Sequence, residues 1–182
     1  EHNVYNTVKI GNQTWMKENL RTAKFPDNTP IDLGINASTV TPYRYNPNRD
    51  ANTVNIYGYL YNWKAVMHGS VSSSSKPSGV QGICPTGWHL PSDGEWEDLM
   101  TTLGGNGVAG DKMKEAGTSH WLSGGTQASN SSGFTALAAG YYGSSNTGFG
   151  ERTYYWSATE GDASHAYTRY ITYFASLVSR RN

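Results

Sequence analysis

Ser92 and Glu95 stand three residues apart at the head of an apolar-periodic stretch, and no other pair constrains this chain as much. At that spacing each side chain satisfies a backbone N–H that a helix start leaves without a partner, so a helix is expected to begin at Asp93. Trp96, Leu99 and Leu103 follow at i, i+3 and i+7, and Gly104-Gly105 ends the pattern. This predicts a helix over Asp93 to Leu103 that docks one stripe on a core. A second helix is expected over Tyr59 to Met67, where Leu60, Trp63 and Met67 recur at helical spacing, and a short third one over Asp111 to Ala116 before Gly117. Val8 to Trp15 alternates about Gly11-Asn12 and reads as a hairpin. Short strands are predicted at Phe134 to Ala138, Tyr154 to Ala158, Ala166 to Tyr173 and Leu177 to Arg180. Between these, Pro26 to Asn55 reads as a long ordered loop. Serine-rich Gly69 to Gly82 reads as a flexible insertion open to proteolysis.

The 182 residues suit one domain, 1–182, with no linker or tandem repeat. Only 36% are apolar and 15% charged, yet there are 13 Tyr, 6 Trp and 21 Gly, so aromatics must build the core; Trp63, Trp88, Trp96 and Trp156 are expected inside it. Fourteen basic and fourteen acidic residues cancel, and no Lys/Arg run occurs. That excludes the electrostatic footprint of a nucleic-acid or anionic-membrane binder. No segment approaches the roughly 18 apolar residues of a membrane span. Glu1-His-Asn3 is no signal peptide, so any export signal is expected outside these residues.

Five blocks carry a resemblance: Val8-Lys-Ile-Gly-Asn-Gln-Thr-Trp-Met-Lys-Glu-Asn-Leu20, Tyr57-Gly-Tyr-Leu-Tyr-Asn-Trp-Lys-Ala-Val66, Gly82 to Leu99, Gly133-Phe-Thr-Ala-Leu137 and Tyr155-Trp-Ser-Ala-Thr-Glu160. In that order they resemble the Fibrobacter succinogenes major paralogous domain. Leu90-Pro-Ser-Asp-Gly-Glu-Trp96 is also similar to a segment of formylglycine-generating enzymes. The resemblance implies an α+β, C-type-lectin-like fold, with two helices on small, mostly antiparallel sheets and long loops. It also implies an extracellular or cell-surface location, bacterial or phage-encoded. Relatives carry a further cysteine-bearing final strand after the point where Arg180-Arg-Asn182 stands here, so that strand is expected to be missing and a disulfide of Cys84 is left undecided. Cys84 itself reads as a buried, partnerless thiol.

The same resemblance is weighed against chemistry. Formylglycine-generating enzymes use a pair of copper-holding cysteines, and one cysteine cannot supply it. His2, His68, His89, His120 and His165 are scattered singly, without a metal-binding spacing. His89 reads as a core histidine bonded to backbone, and Asp93, Glu95, Glu97 and Asp98 as helix-dipole compensation on a solvated face. C-type lectins hold sugar-binding calcium through triplets this chain lacks, since Ser157 and Ala158 stand where the ligating pair would be. No catalytic residue, metal site or cofactor is expected; a structural calcium at Glu160 or Asp162 is the alternative kept open.

The expected site lies in the last residues. By the period-2 rule Thr168, Tyr170, Thr172, Phe174, Leu177, Ser179, Arg181 and Asn182 face outward, while Arg169, Ile171 and Tyr173 face the fold. Tyr, Phe, Leu and Arg on neighbouring strands are residue types of a recognition surface for a protein or glycan ligand, as in an adhesin or receptor-binding domain. C-type-lectin-like domains also serve as variable proteins of diversity-generating retroelements, and all eight positions hold residues that adenine-directed diversification can produce. A structural surface or pilus-tip module without a ligand is the alternative, and a hydrolase or oxidoreductase on the same scaffold, for which the sequence offers no convergent titratable set, is the third reading.

Overall fold

The helix start forms as its spacing requires. Ser92 Oγ accepts the Glu95 amide at 3.2 Å, and Glu95 Oε2 accepts the Ser92 amide at 2.9 Å. The computed structural model describes residues 3–143 and 147–182, which leaves Glu1 and His2, and with them the reading of the chain's start, outside the described residues.

Twelve elements of regular α or β structure follow in order among these residues: β1 (Thr7–Ile10), β2 (Gln13–Met16), β3 (Asp32–Leu33), β4 (Tyr43–Tyr45), α1 (Val54–Tyr57), β5 (Leu60–Tyr61), α2 (Trp63–Met67), α3 (Asp93–Thr102), α4 (Asn106–Met113), β6 (Arg152–Asp162), β7 (His165–Thr172) and β8 (Val178–Arg181). The fold is mixed α+β with few helices and small sheets. β1 and β2 form an antiparallel hairpin, β4 joins β3 in parallel to β5 antiparallel, and β6–β7–β8 is an antiparallel meander with β7 in the middle.

Two apolar cores result. In the first, Trp96, Leu99 and Met100 of α3 and Leu103 just after it meet Met113 of α4, Phe134, Ile171 and Val178. Trp15 closes it, its ring 4.6 Å from that of Trp96. The second joins Ala65, Val66 and Met67 of α2 to Phe25, Ile31, Ile83 and Leu90. Gly82 has φ +52 and lies against α2, where a Cβ would collide with the Val66 carbonyl oxygen, so the chain turns back there only with glycine.

Charge fastens α3 to the meander. Arg169, in the middle of β7, is 1% exposed; its Nη2 lies 2.5 Å from Asp93 Oδ1 and its Nη1 2.8 Å from Glu97 Oε1. Arg180 of β8 reaches Asp93 Oδ2 at 3.1 Å. A second buried cation holds the β7–β8 turn. Lys114 Nζ lies 2.8 Å from Asp111 Oδ1 and donates to Thr126 Oγ1 at 2.7 Å and to the carbonyls of Thr172 at 3.1 Å and Ala175 at 3.0 Å. Gly110 lets that turn close on α4, its amide 2.8 Å from the Ser176 carbonyl, because a Cβ would stand 2.6 Å from that oxygen.

Several expectations shift. The helix over Asp93 to Leu103 and the Val8 to Trp15 hairpin form within a residue or two. The helix expected from Tyr59 begins at Trp63, because Asn62 caps it by accepting the Ala65 amide at 3.0 Å and Leu60–Tyr61 pairs with β4 instead. The third helix spans Asn106–Met113 rather than Asp111 to Ala116. Of the strand at Phe134 to Ala138 only a bridge from Ala136 to Lys114 forms, and the long loop contains β3, β4 and two 3-10 turns. The serine-rich stretch is anchored: Ser73 N donates to Ala158 O at 2.9 Å, Thr159 Oγ1 to Ser73 O at 2.7 Å and Ser78 N to Glu95 Oε2 at 3.0 Å. Trp96 is buried, while Trp63, Trp88 and Trp156 are half-buried against the second core.

Three substitutions test these contacts. In urea titrations Trp96→Ala should lose about 3 to 5 kcal/mol, as large aromatic truncations in cores do. Asp93→Ala should lose a comparable amount, about 3 to 5 kcal/mol, by leaving Arg169 buried with its principal partner gone. Glu97→Ala, at the half-open edge of the same network, should lose no more than about 1 kcal/mol.

Candidate functional site

The meander's second face, opposite the first core, does not lie open to solvent. Cross-strand register sets Tyr154 of β6 beside Tyr170 of β7 and Ser179 of β8, and Trp156 beside Thr168 and Arg181. The Tyr154 and Tyr170 rings stand 4.6 Å apart, and the Arg181 guanidinium lies 4.5 Å from the Tyr170 ring centroid. The alternation expected for β7 therefore holds, with Arg169 and Ile171 on the core face. The exposure expected for its other face fails: Thr168, Tyr170 and Thr172 are buried. As the central strand, β7 is overlain by long side chains from both neighbours, a shielding that strand periodicity does not reveal. Tyr173 is half-buried against the first core. Phe174 and Leu177 are exposed at the β7–β8 turn, Ser179 is half-buried, and Arg181 and Asn182 are exposed. The eight expected site residues thus divide among a covered sheet face, the tip of the β7–β8 turn and the exposed far end of β8, and do not form one patch.

Beside that face runs a crevice of about 1580 Å³, lined by residues of both cores. Aromatic rings from separate segments converge on it: Trp15 from β2, Tyr59 and Trp63 about β5 and α2, Trp88 ahead of α3, Tyr141, and Tyr154 with Trp156 from β6. Of the expected site residues, Thr168 and Asn182 line it. Its walls are braced by indole hydrogen bonds, from Trp156 Nε1 to Tyr61 O at 2.8 Å and from Trp96 Nε1 to Trp156 O at 3.2 Å. Desolvation, reinforced by the neighbouring Tyr170, pushes the Tyr154 hydroxyl above its ordinary pKa.

Several titratable groups on and beside the crevice are already engaged. His89 Nε2 meets Glu95 Oε1 at 2.8 Å, in place of the backbone bond expected for His89. Asp93 and Glu95 are buried, correcting the solvated-face reading: the former pairs with two arginines, and the latter ties the helix start to Ser78. Asp162 accepts the amides of Ser164 at 2.7 Å and His165 at 3.0 Å, and its carboxyl is held below the usual range, first by the Ser164 amide and then by the His165 side chain. Among the described residues no group of three or more His, Cys, Asp or Glu side chains could hold a metal ion. None of the described helices is long and apolar enough to cross a membrane.

An α+β domain of small sheets beside an aromatic-lined crevice is the class these features define. The family model of the Fibrobacter succinogenes major domain matches residues 8–182, and the chain belongs to that family. No curated protein and no solved structure matches it.

Cys84 also lines the crevice, yet it is a free, buried thiol whose pKa is pushed from 9.0 up to about 12 by burial. Iodoacetamide at about pH 8 should leave it unmodified in the native protein and alkylate it in guanidinium, since only the thiolate reacts. Because the folded state retains the proton that the unfolded chain gives up, stability should fall as pH rises from 9.0 toward 12. A Cys84→Ala variant should show a weaker fall over the same window in urea titrations.

Proposed function

We propose that this chain is an extracellular or cell-surface ligand-binding domain with a C-type-lectin-like core, bacterial or phage-encoded, and that its ligand seats in the aromatic crevice. It acts as an adhesin or receptor-binding module toward a protein or glycan, without catalysis or a cofactor and with no direct engagement of nucleic acid or membrane. The convergence of Trp15, Tyr59, Trp63, Trp88, Tyr154 and Trp156 on one concavity carries this reading. Ligand sites are concave and mostly apolar with a few polar groups that orient the ligand. Tyrosine and tryptophan bring large contact area at low entropic cost, which suits them to recognition.

The C-terminal residues contribute from the edge of this site. Thr168 and Asn182 belong to its wall. Should the domain be a variable protein of a diversity-generating retroelement, tolerant positions narrow to Phe174, Leu177, Ser179, Arg181 and Asn182. Substitution at buried Tyr170 or Thr172 would disturb the sheet as well as any contact.

A glycan and surface-protein array probed with the labelled domain tests the reading. At least one saturable ligand is expected, with Trp88→Ala or Tyr154→Ala weakening it by about 2 kcal/mol and Phe174→Ala weakening it less. Loss on Phe174→Ala with none on Trp88→Ala would move the site to the β7–β8 turn, and an array silent throughout would remove the reading.

A further inference from the structure

We infer that the crevice takes a neutral glycan chain, held by ring stacking and hydrogen bonds without a bridging metal ion. The inference rests on the ligand-binding reading above and names the ligand's chemistry.

Size comes first. At about 1580 Å³ the crevice exceeds the roughly 300–1,000 Å³ of sites that enclose one small molecule, so a chain of several units fits it better than a single one. Charge comes next. Five carboxylates and two lysines line it, and one of those lysines, Lys76, is paired with Asp98 at 2.7 Å. A field of that sign repels anionic polymers.

The hydrogen-bonding groups on the rings point the same way. Trp63, Trp88, Tyr59 and Tyr141 line the crevice, and their indole N–H groups and hydroxyls have no hydrogen-bond partner among the described residues. A saccharide ring presents a C–H face, which packs on an aromatic ring, and a rim of hydroxyls, which pair with such donors. Finally, no three His, Cys, Asp or Glu side chains among the described residues are grouped to hold a metal ion.

Affinity electrophoresis through gels holding hydroxyethyl cellulose, xylan or galactomannan, with polygalacturonate as the anionic control, tests this directly. Retardation by at least one neutral polymer, unchanged by EDTA, is expected. Trp88→Ala should weaken it at least tenfold, and Tyr59→Phe, which removes one unpartnered hydroxyl and leaves the ring, severalfold at an unchanged Tm. Retardation by polygalacturonate alone, loss of binding in EDTA, or no retardation by any neutral polymer would overturn the glycan inference. If the array then gives saturable signal on protein spots, the ligand-binding reading survives; if the array is silent, both fall.

Discussion

Arg169 can sit at the centre of β7 only because Asp93 and Glu97, one turn apart on α3, meet its guanidinium from the same side. That requirement fixes the height and rotation of α3 over the meander. Once α3 is placed, its capping box places the Ser78 loop through Glu95, and its apolar stripe places the first core. Arg180 shares Asp93 from the next strand, so one carboxylate sets the positions of two strands and a helix. Hydrophobic burial alone is non-directional and would allow α3 to slide along the sheet; the ion network does not.

The division of the chain into two cores has a geometric result. α3 with the meander and α2 with the Ile83 loop each fill their own interior, and the space where the two meet is left to aromatic rings too large and too polar at one end to close it. Trp156 belongs to both sides. Its ring packs 5.6 Å from Trp63 while its carbonyl accepts the Trp96 indole, so it links the two cores along the crevice wall.

Local signals were legible because they are local. The Ser92–Glu95 spacing, the stripe from Trp96 and the Gly11-Asn12 turn each act within a few residues, and each forms where the sequence predicts it. Partners distant in sequence were not. Nothing near Asp93 announces Arg169, and nothing near His89 announces that its bond goes to a side chain rather than to backbone. The covered face of β7 failed for the same reason, since period 2 says which side a residue takes and not what lies over it. The crevice was legible only as a surplus of aromatic residues in the composition, because segments from Trp15 to Trp156 had to be brought together before it existed.

Lys114 grips the β7–β8 turn entirely through main-chain oxygens, and the Gly110 and Thr126 amides hold the same turn through the carbonyls of Ser176 and Tyr173. No side chain from Phe174 or Leu177 takes part in these bonds. The shape of the turn is therefore encoded elsewhere in the chain, and the identities at Phe174 and Leu177 are released from any duty to maintain it. Such a turn can change its chemical face from one descendant to another while keeping its path, a separation of form from content that an adapting surface needs.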